Sequence, residues 1–174
     1  MTATFPPSDD CARLVPSLLT ATAFQSFGTV LEAPTGLGRS INAGSSERFD
    51  LVDDLQLGAA GGRAQLALFR AQARSFPLQI LEMERHCLGS QTFVPWGACR
   101  FVLVVAPAGD PPVAAASLQA FITDGRQGVV LAPGTWHHAL LAVDSGDFLV
   151  IERAALVTDC DIHRLAVPVW LGCP

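Results

Sequence analysis

The chain contains no lysine and no tyrosine. Without lysine there is no Schiff-base chemistry and no Lys-bearing phosphate loop. Without tyrosine no phenol can act as acid or base. All 11 basic residues are therefore Arg, set against 16 acids for a net charge of −5. That balance excludes a phosphate-tracking surface, which needs clustered positive charge. Nucleic acid is not an expected partner. Cysteine is present but unpatterned: Cys11, Cys87, Cys99, Cys160 and Cys173 are odd in number and include no C-x-x-C pair. Neither a disulfide framework nor a structural zinc spacing fits, so they read as reduced, mostly buried thiols. Long apolar runs are missing too. "FVLVVAPAGDPPVAAASLQAF" (101–121) is broken by three prolines and an Asp, so no membrane span is expected. The first residues, "MTATFPPSDDCARLVPSLL", lack the basic start of a signal peptide, and a cytoplasmic location is the expectation.

What remains for chemistry is His, Asp, Glu, Arg and Cys, with only four histidines: His86, His137, His138 and His163. Half of the 174 residues are hydrophobic, enough for one sizeable core and for surface buried against a second copy. Residues 1–15, rich in Pro and Asp, are expected to be poorly ordered, and 16–174 to form a single domain. Short apolar runs follow one another: "GTVLE", "AQLALFRAQ", "LQILEMER", "SQTFV", "RFVLVVA", "QGVVLAP", "HHALLAV" and "DFLVIER". Each is bounded by Gly, Pro, Asp or Ser, as strands are. "SLLTATAFQSFG" has helical spacing with Gly28 as a stop, and "SLQAFITDG" predicts a second helix between Ser117 and Gly125. Many short strands without alternating helices predict an all-β barrel or sandwich with one or two short helices.

One stretch stands apart: "EMERHCLGSQTFVPWG" (82–97) crowds charges between strand-like runs. In a strand, side chains two apart share a face. Glu82, Glu84 and His86 then lie opposite Leu81, Met83 and Arg85, and Gln91 opens the next strand beyond the turn. Glu84, His86 and Gln91 can converge on one face. Further on, "PGTWHH" (133–138) makes a tight turn before His137, with His138 facing the other way in a regular strand.

Glu84-x-His86-x4-Gln91-x5-Gly97 resembles the first cupin motif with Glu for its first His and Gln for its Glu. Gly134-x-x-His137 resembles the end of the second. More of the chain is similar to the ureidoglycolate lyases, in the runs "FGTVLE", "INAGSSERFD", "FPLQILEMERHCLGSQTFVPWG", "LQAFITDGRQGV", "GTWHHALLAV", "DFLVIER" and "DCD". The resemblance implies a cupin-like β-barrel (a double-stranded β-helix, or jelly roll) and a homodimer. It also implies a carbon–nitrogen lyase, of amidine-lyase type, that splits ureidoglycolate into glyoxylate and urea in purine and allantoin breakdown. The chain departs from that family at Val130 and Leu131, where Asn and Tyr are usual. Ala139 replaces a Pro, and Glu152-Arg153-Ala154-Ala155 stands for Asp-Arg-Gly-Gly.

Cleavage of such a hemiaminal needs a base for the hydroxyl proton, an acid for the departing nitrogen and a cation for the carboxylate. Histidines suit the proton transfers, and an Arg fork suits the carboxylate. The expected catalytic residues are Glu84, His86 and His137. Gln91 is an expected substrate contact toward the urea amide. Arg70 in "LALFRAQ" is the first choice for the carboxylate and Arg48 in "ERFD" the second. A divalent metal held by Glu84, His86, Gln91 and His137 would serve as well, and no organic cofactor is expected. Two other functions fit the same residues: a metal-dependent, oxygenase-like cupin enzyme built on two His and one carboxylate, or a non-catalytic cupin that binds a small acid.

Overall fold

The computed structural model describes residues 12–111 and 113–174. Strands dominate, as expected. An eight-stranded sheet runs in the order β1 (Arg13–Leu14), β15 (Asp161–Leu171), β7 (Leu78–Arg85), β12 (Trp136–His137), β9 (Phe101–Ala106), β10 (Gln119–Ile122) and β2 (Ser17–Leu18), and β13 (Leu141–Ala142) also pairs with β9. A five-stranded sheet runs β3 (Gly28–Leu31), β11 (Gly128–Leu131), β8 (Gln91–Pro95), β14 (Gly146–Ala154) and β6 (Arg63–Ala71). A small ribbon pairs β4 (Arg39–Ile41) with β5 (Ser46–Arg48). The whole is an all-β, cupin-like barrel.

Alternation in β9 explains how the layers are held. Phe101, Leu103 and Val105 face the five-stranded sheet and pack with Phe93, Val129, Leu131, Phe148 and Val150. Val102, Val104 and Ala106 face the other way, onto Ile80, Met83, Trp136, Leu165 and Val169. Every residue of β9 is buried, so this strand is the shared wall of two cores. Truncating one of its fully buried side chains, such as Phe101, would cost about 3–5 kcal/mol.

Neither expected helix survives intact. Only Ala21–Phe24 is helical (α1), with Thr20 accepting a bond from the Ala23 amide at its start. Ser17–Leu18 instead extends parallel to β10. Gly28 opens β3 rather than stopping a helix; a Cβ there would lie 1.9 Å from the Val130 carbonyl oxygen. The second expected helix is a strand, β10, after a 3-10 turn at Ala115–Ser117. Successive residues explain the correction: Ala120 is buried in one core and Phe121 in the other, a period of two that no helix can satisfy. Of the N-terminal stretch expected to be poorly ordered, residues 1–11 lie outside the described residues, whereas Arg13–Leu14 pairs in parallel with β15. Among the described residues no helix is long and apolar enough to cross a membrane.

Candidate active site

β12 is only two residues long, yet it sits between β7 and β9 and sets His137 directly across from Glu84. The turn before it is fixed by Gly134, which has φ +81° and donates its amide to the His86 carbonyl at 2.6 Å. A residue with a side chain is strained at that angle. That one bond ties the His137 turn to the end of β7, where His86 stands. The two imidazole centroids are 5.3 Å apart.

Hydrogen-bond roles follow from the partners. His137 Nδ1 faces the Thr135 carbonyl at 3.0 Å, so it donates. His137 Nε2 faces Gln91 Oε1 at 3.1 Å and Glu84 Oε1 at 3.5 Å. The Gln91 amide is oriented because its Nε2 donates to Glu152 Oε2 at 3.0 Å, and a carboxylate only accepts. His86 Nδ1 bonds the Asp159 carbonyl oxygen, leaving its Nε2 buried without a partner. Both histidines thus anchor Nδ1 on a backbone carbonyl and turn Nε2 toward the same place, the arrangement metal-binding imidazoles use. Glu84, His86 and His137 each offer one donor atom, all within 4.8 Å of one another. The set of two imidazoles, a carboxylate and an amide oxygen fits a borderline divalent cation. In its place, a proton on His137 Nε2 satisfies the same acceptors.

The electrostatics agree. The hydrogen bond with His137 holds the Glu84 carboxyl below its usual range against desolvation, and nearby His137 and His86 act in the same direction. Glu84 is an ionised carboxylate at neutral pH. Burial pushes the Cys160 thiol up, and Glu84, whose Oε2 lies 3.9 Å from its Sγ, pushes it the same way, so it stays protonated and is no nucleophile.

Beside this triad opens a cavity of about 260 Å³, lined by His86, Ser90, Glu152, Arg153, Asp159 and Cys160 among others. Of these six, sequence reasoning picked out only His86. Asp159 carries the turn after β7, its carboxylate accepting the amides of Cys87 (2.8 Å) and Leu88 (2.7 Å).

The family description "Ureidoglycolate lyase" matches residues 11–171. A ureidoglycolate lyase of Pseudomonas syringae pv. syringae (strain B728a) is 42% identical over 155 residues, 88% of this chain and 91% of the relative. One of Burkholderia mallei (strain NCTC 10229) is 40% identical, covering 88% of this chain and 89% of its own. Another, of Pseudomonas fluorescens (strain Pf0-1), is 40% identical over 83% and 87%. The chain belongs to the ureidoglycolate lyase family.

Of the six expected residues, four come together and two do not. Glu84, His86, Gln91 and His137 converge. Gln91 is buried with both amide atoms engaged, its nitrogen on Glu152 and its oxygen facing His137. Arg70 does not point inward. It pairs with Asp147 at 2.8 Å, its side chain 74% exposed on the edge strand β6. Arg48 pairs with Asp50 at 2.6 Å, also in solvent. Glu82 lies at the surface, 3.9 Å from Arg164. Arg85 stacks 4.6 Å over Trp136, a core residue, and bonds Asp161 at 2.9 Å. His138, whose pKa burial pushes down, lines a separate pocket of about 70 Å³ with Glu82 and Glu84. Val130 and Leu131 are buried at 6% and 2% exposure, while Ala154 and Ala155 line the cavity.

Proposed function

We propose that this protein cleaves ureidoglycolate to glyoxylate and urea, as a carbon–nitrogen lyase of the amidine-lyase type. The supporting observation is the convergence of Glu84, His86 and His137 beside a small cavity in a chain of this family. His86 Nε2, a free lone pair on a cavity-lining ring, takes the proton of the substrate hydroxyl. The O–H electron pair becomes the C=O bond of glyoxylate, and the C–N pair leaves on the urea nitrogen. That nitrogen receives its proton from His137, which Glu84 and Gln91 hold in place. No water is consumed.

A divalent cation would be held by Glu84, His86 and His137, with Gln91 Oε1 as a fourth donor. When bound it lowers the pKa of the hydroxyl and neutralises the oxyanion. The protein is proposed to work in the cytoplasm, in keeping with free Cys87, Cys99, Cys160 and Cys173. It is proposed to act as a homodimer, in keeping with Leu66 (66%) and Leu81 (53%) exposed at the surface. Sedimentation mass tests that.

The deciding assay mixes the protein with racemic ureidoglycolate and follows glyoxylate and urea. Equal yields support the lyase. Binding without turnover, or oxygen consumption with added Fe(II), overturns it. His137→Ala should lower turnover by roughly 10²–10⁴ while leaving the melting transition in place. Loss of activity on chelation, restored by a divalent ion, assigns the triad to cation binding, and unchanged activity assigns it to proton transfer alone.

A further inference from the structure

We propose that Arg153 binds the carboxylate of the substrate. This rests on the lyase reading and supplies the cation that neither Arg70 nor Arg48 provides. Arg153 stands near the end of β14 and lines the same cavity as His86. Its Nε donates to the Ala59 carbonyl at 2.9 Å and its Nη2 to the Ala60 carbonyl at 3.2 Å. Its Nη1 is buried with no partner. A buried cationic N–H without an acceptor is costly, so it calls for a partner that the chain itself does not supply.

The side chain is held in place by close approaches. A Cβ on Gly62 would lie 2.4 Å from Arg153 Nε, and one on Gly89 would lie 2.7 Å from Arg153 Cβ. Only glycine at both positions leaves room for the guanidinium stem. Ala60, which supplies one of the holding carbonyls, has φ +49°, a costly conformation for a residue with a side chain. Local strain is thus tolerated in the turn that grips Arg153.

Several arginines lack an acid partner, and among the described residues Arg153 is the arginine that also keeps a buried N–H unanswered. Arg48, Arg70, Arg85, Arg100 and Arg164 each sit against a carboxylate. Among the described residues Arg153 has none. The acids that share its cavity are engaged elsewhere, Glu152 with Gln91 and Asp159 with two backbone amides. A fixed guanidinium with its charge unanswered, beside the proton-transfer residues, selects a small α-hydroxy or α-oxo acid. The anchored carboxylate leaves the adjacent carbon to face His86.

The test compares Arg153→Gln, Arg153→Lys and the wild type, all checked by thermal melting. Inhibition by glyoxylate, which carries the carboxylate, is measured beside inhibition by urea, which does not. Loss of one charge-assisted hydrogen bond predicts KM and the glyoxylate inhibition constant raised about 10–100-fold in Arg153→Gln, with urea inhibition unchanged. Arg153→Lys should recover part of the loss. Should Arg153→Gln not fold, Arg153→Lys decides the matter, with glyoxylate binding weakened at least about fivefold, since an ammonium cannot reproduce the fork. Unchanged glyoxylate inhibition in a folded variant overturns the assignment, as does equal weakening of urea. A wild type that binds glyoxylate but cleaves nothing defeats the lyase reading alone, and Arg153 is then judged on glyoxylate binding. A Gln variant that cleaves with unaltered KM defeats only the Arg153 assignment.

Discussion

Glu152 is placed to act at a distance through Gln91, and its removal can be given a size. Glu152 Oε2 accepts from Gln91 Nε2 at 3.0 Å, and Gln91 Oε1 meets His137 Nε2 at 3.1 Å. Because the carboxylate only accepts, it forces the Gln91 oxygen toward His137. Glu152→Gln keeps the shape but not the charge, and its new amide no longer dictates which way Gln91 turns. A hydrogen bond to a charged group contributes about 1.5–3 kcal/mol and a neutral one about 0.5–1.5. The difference, about 1–1.5 kcal/mol, predicts a five- to tenfold fall in kcat/KM if it is all felt in the transition state. Gln91→Leu cuts the chain outright. Losing a partner that orients an active-site His lowers activity about 10–100-fold.

The double variant makes the argument refutable. With Gln91 gone, Glu152 has nothing to orient, so adding Glu152→Gln to Gln91→Leu should change kcat/KM by less than about twofold. The assay is initial-rate glyoxylate release from the four proteins, with melting curves to confirm folding. Glu152 also lines the cavity, so direct contact with substrate is the competing account. Effects that multiply across the two substitutions would favour that account and refute the relay.

Three further outcomes are expected. Gly28→Ala puts a Cβ 1.9 Å from the Val130 carbonyl, and should destabilise the fold by more than about 3 kcal/mol in urea titration; a smaller cost would mean β3 can shift on β11. Asp159→Ala removes the acceptor for the Cys87 and Leu88 amides, and should cost about 1–3 kcal/mol and lower kcat about tenfold through a loosened His86; unaltered kcat would free His86 from that turn. Asp144, bonded by the Arg100 side chain and backbone amide, has its pKa lowered from 3.8 to about 2, so its contribution is present above pH about 4 and is lost as pH falls toward 2. The pair is largely exposed, which limits that contribution to about 0.5–1 kcal/mol, and the gap in stability between wild type and Asp144→Asn should close over that window.

Most of the sheet was legible because its strands alternate or run apolar between turn residues. The longest strand was not. Residues 161–171 read "DIHRLAVPVWL", with Pro168 inside the run, and a proline argues against a central strand. β15 accommodates it in a bulge: partners on β7 jump from Arg164 to Val169, and Pro168 falls in the unpaired gap. The same bulge upsets the expected alternation in β7. Ile80 and Met83 are both buried, an odd separation, while Leu81 and Glu82 are both exposed. From Glu82 to Arg85 the ladder with β15 is regular; the site residue Glu84 lies in that part, and His86 follows directly after it.

The same distinction explains which site residues could be read. Glu84, His86 and Gln91 share a face through strand parity, and His137 is brought in by a two-residue strand after a tight turn, so spacing alone nearly assembles them. Arg70 was misread from parity of the same kind, since it shares a face with Leu66 and Leu68. Those leucines are 66% and 48% exposed, because β6 is an edge strand whose pairing on one side only leaves it open to solvent. Apolar neighbours establish a shared face, not its direction. Arg153 had the opposite difficulty. Its place depends on the turn over 59–62 and on Gly89, two segments with no common period. Parity reports on a strand and its neighbour, whereas an arginine side chain packed against two remote glycines is fixed by chain crossings that no local pattern encodes. The proton-transfer half of the site is therefore readable from spacing, and the half that grips the substrate becomes visible only when the crossings are.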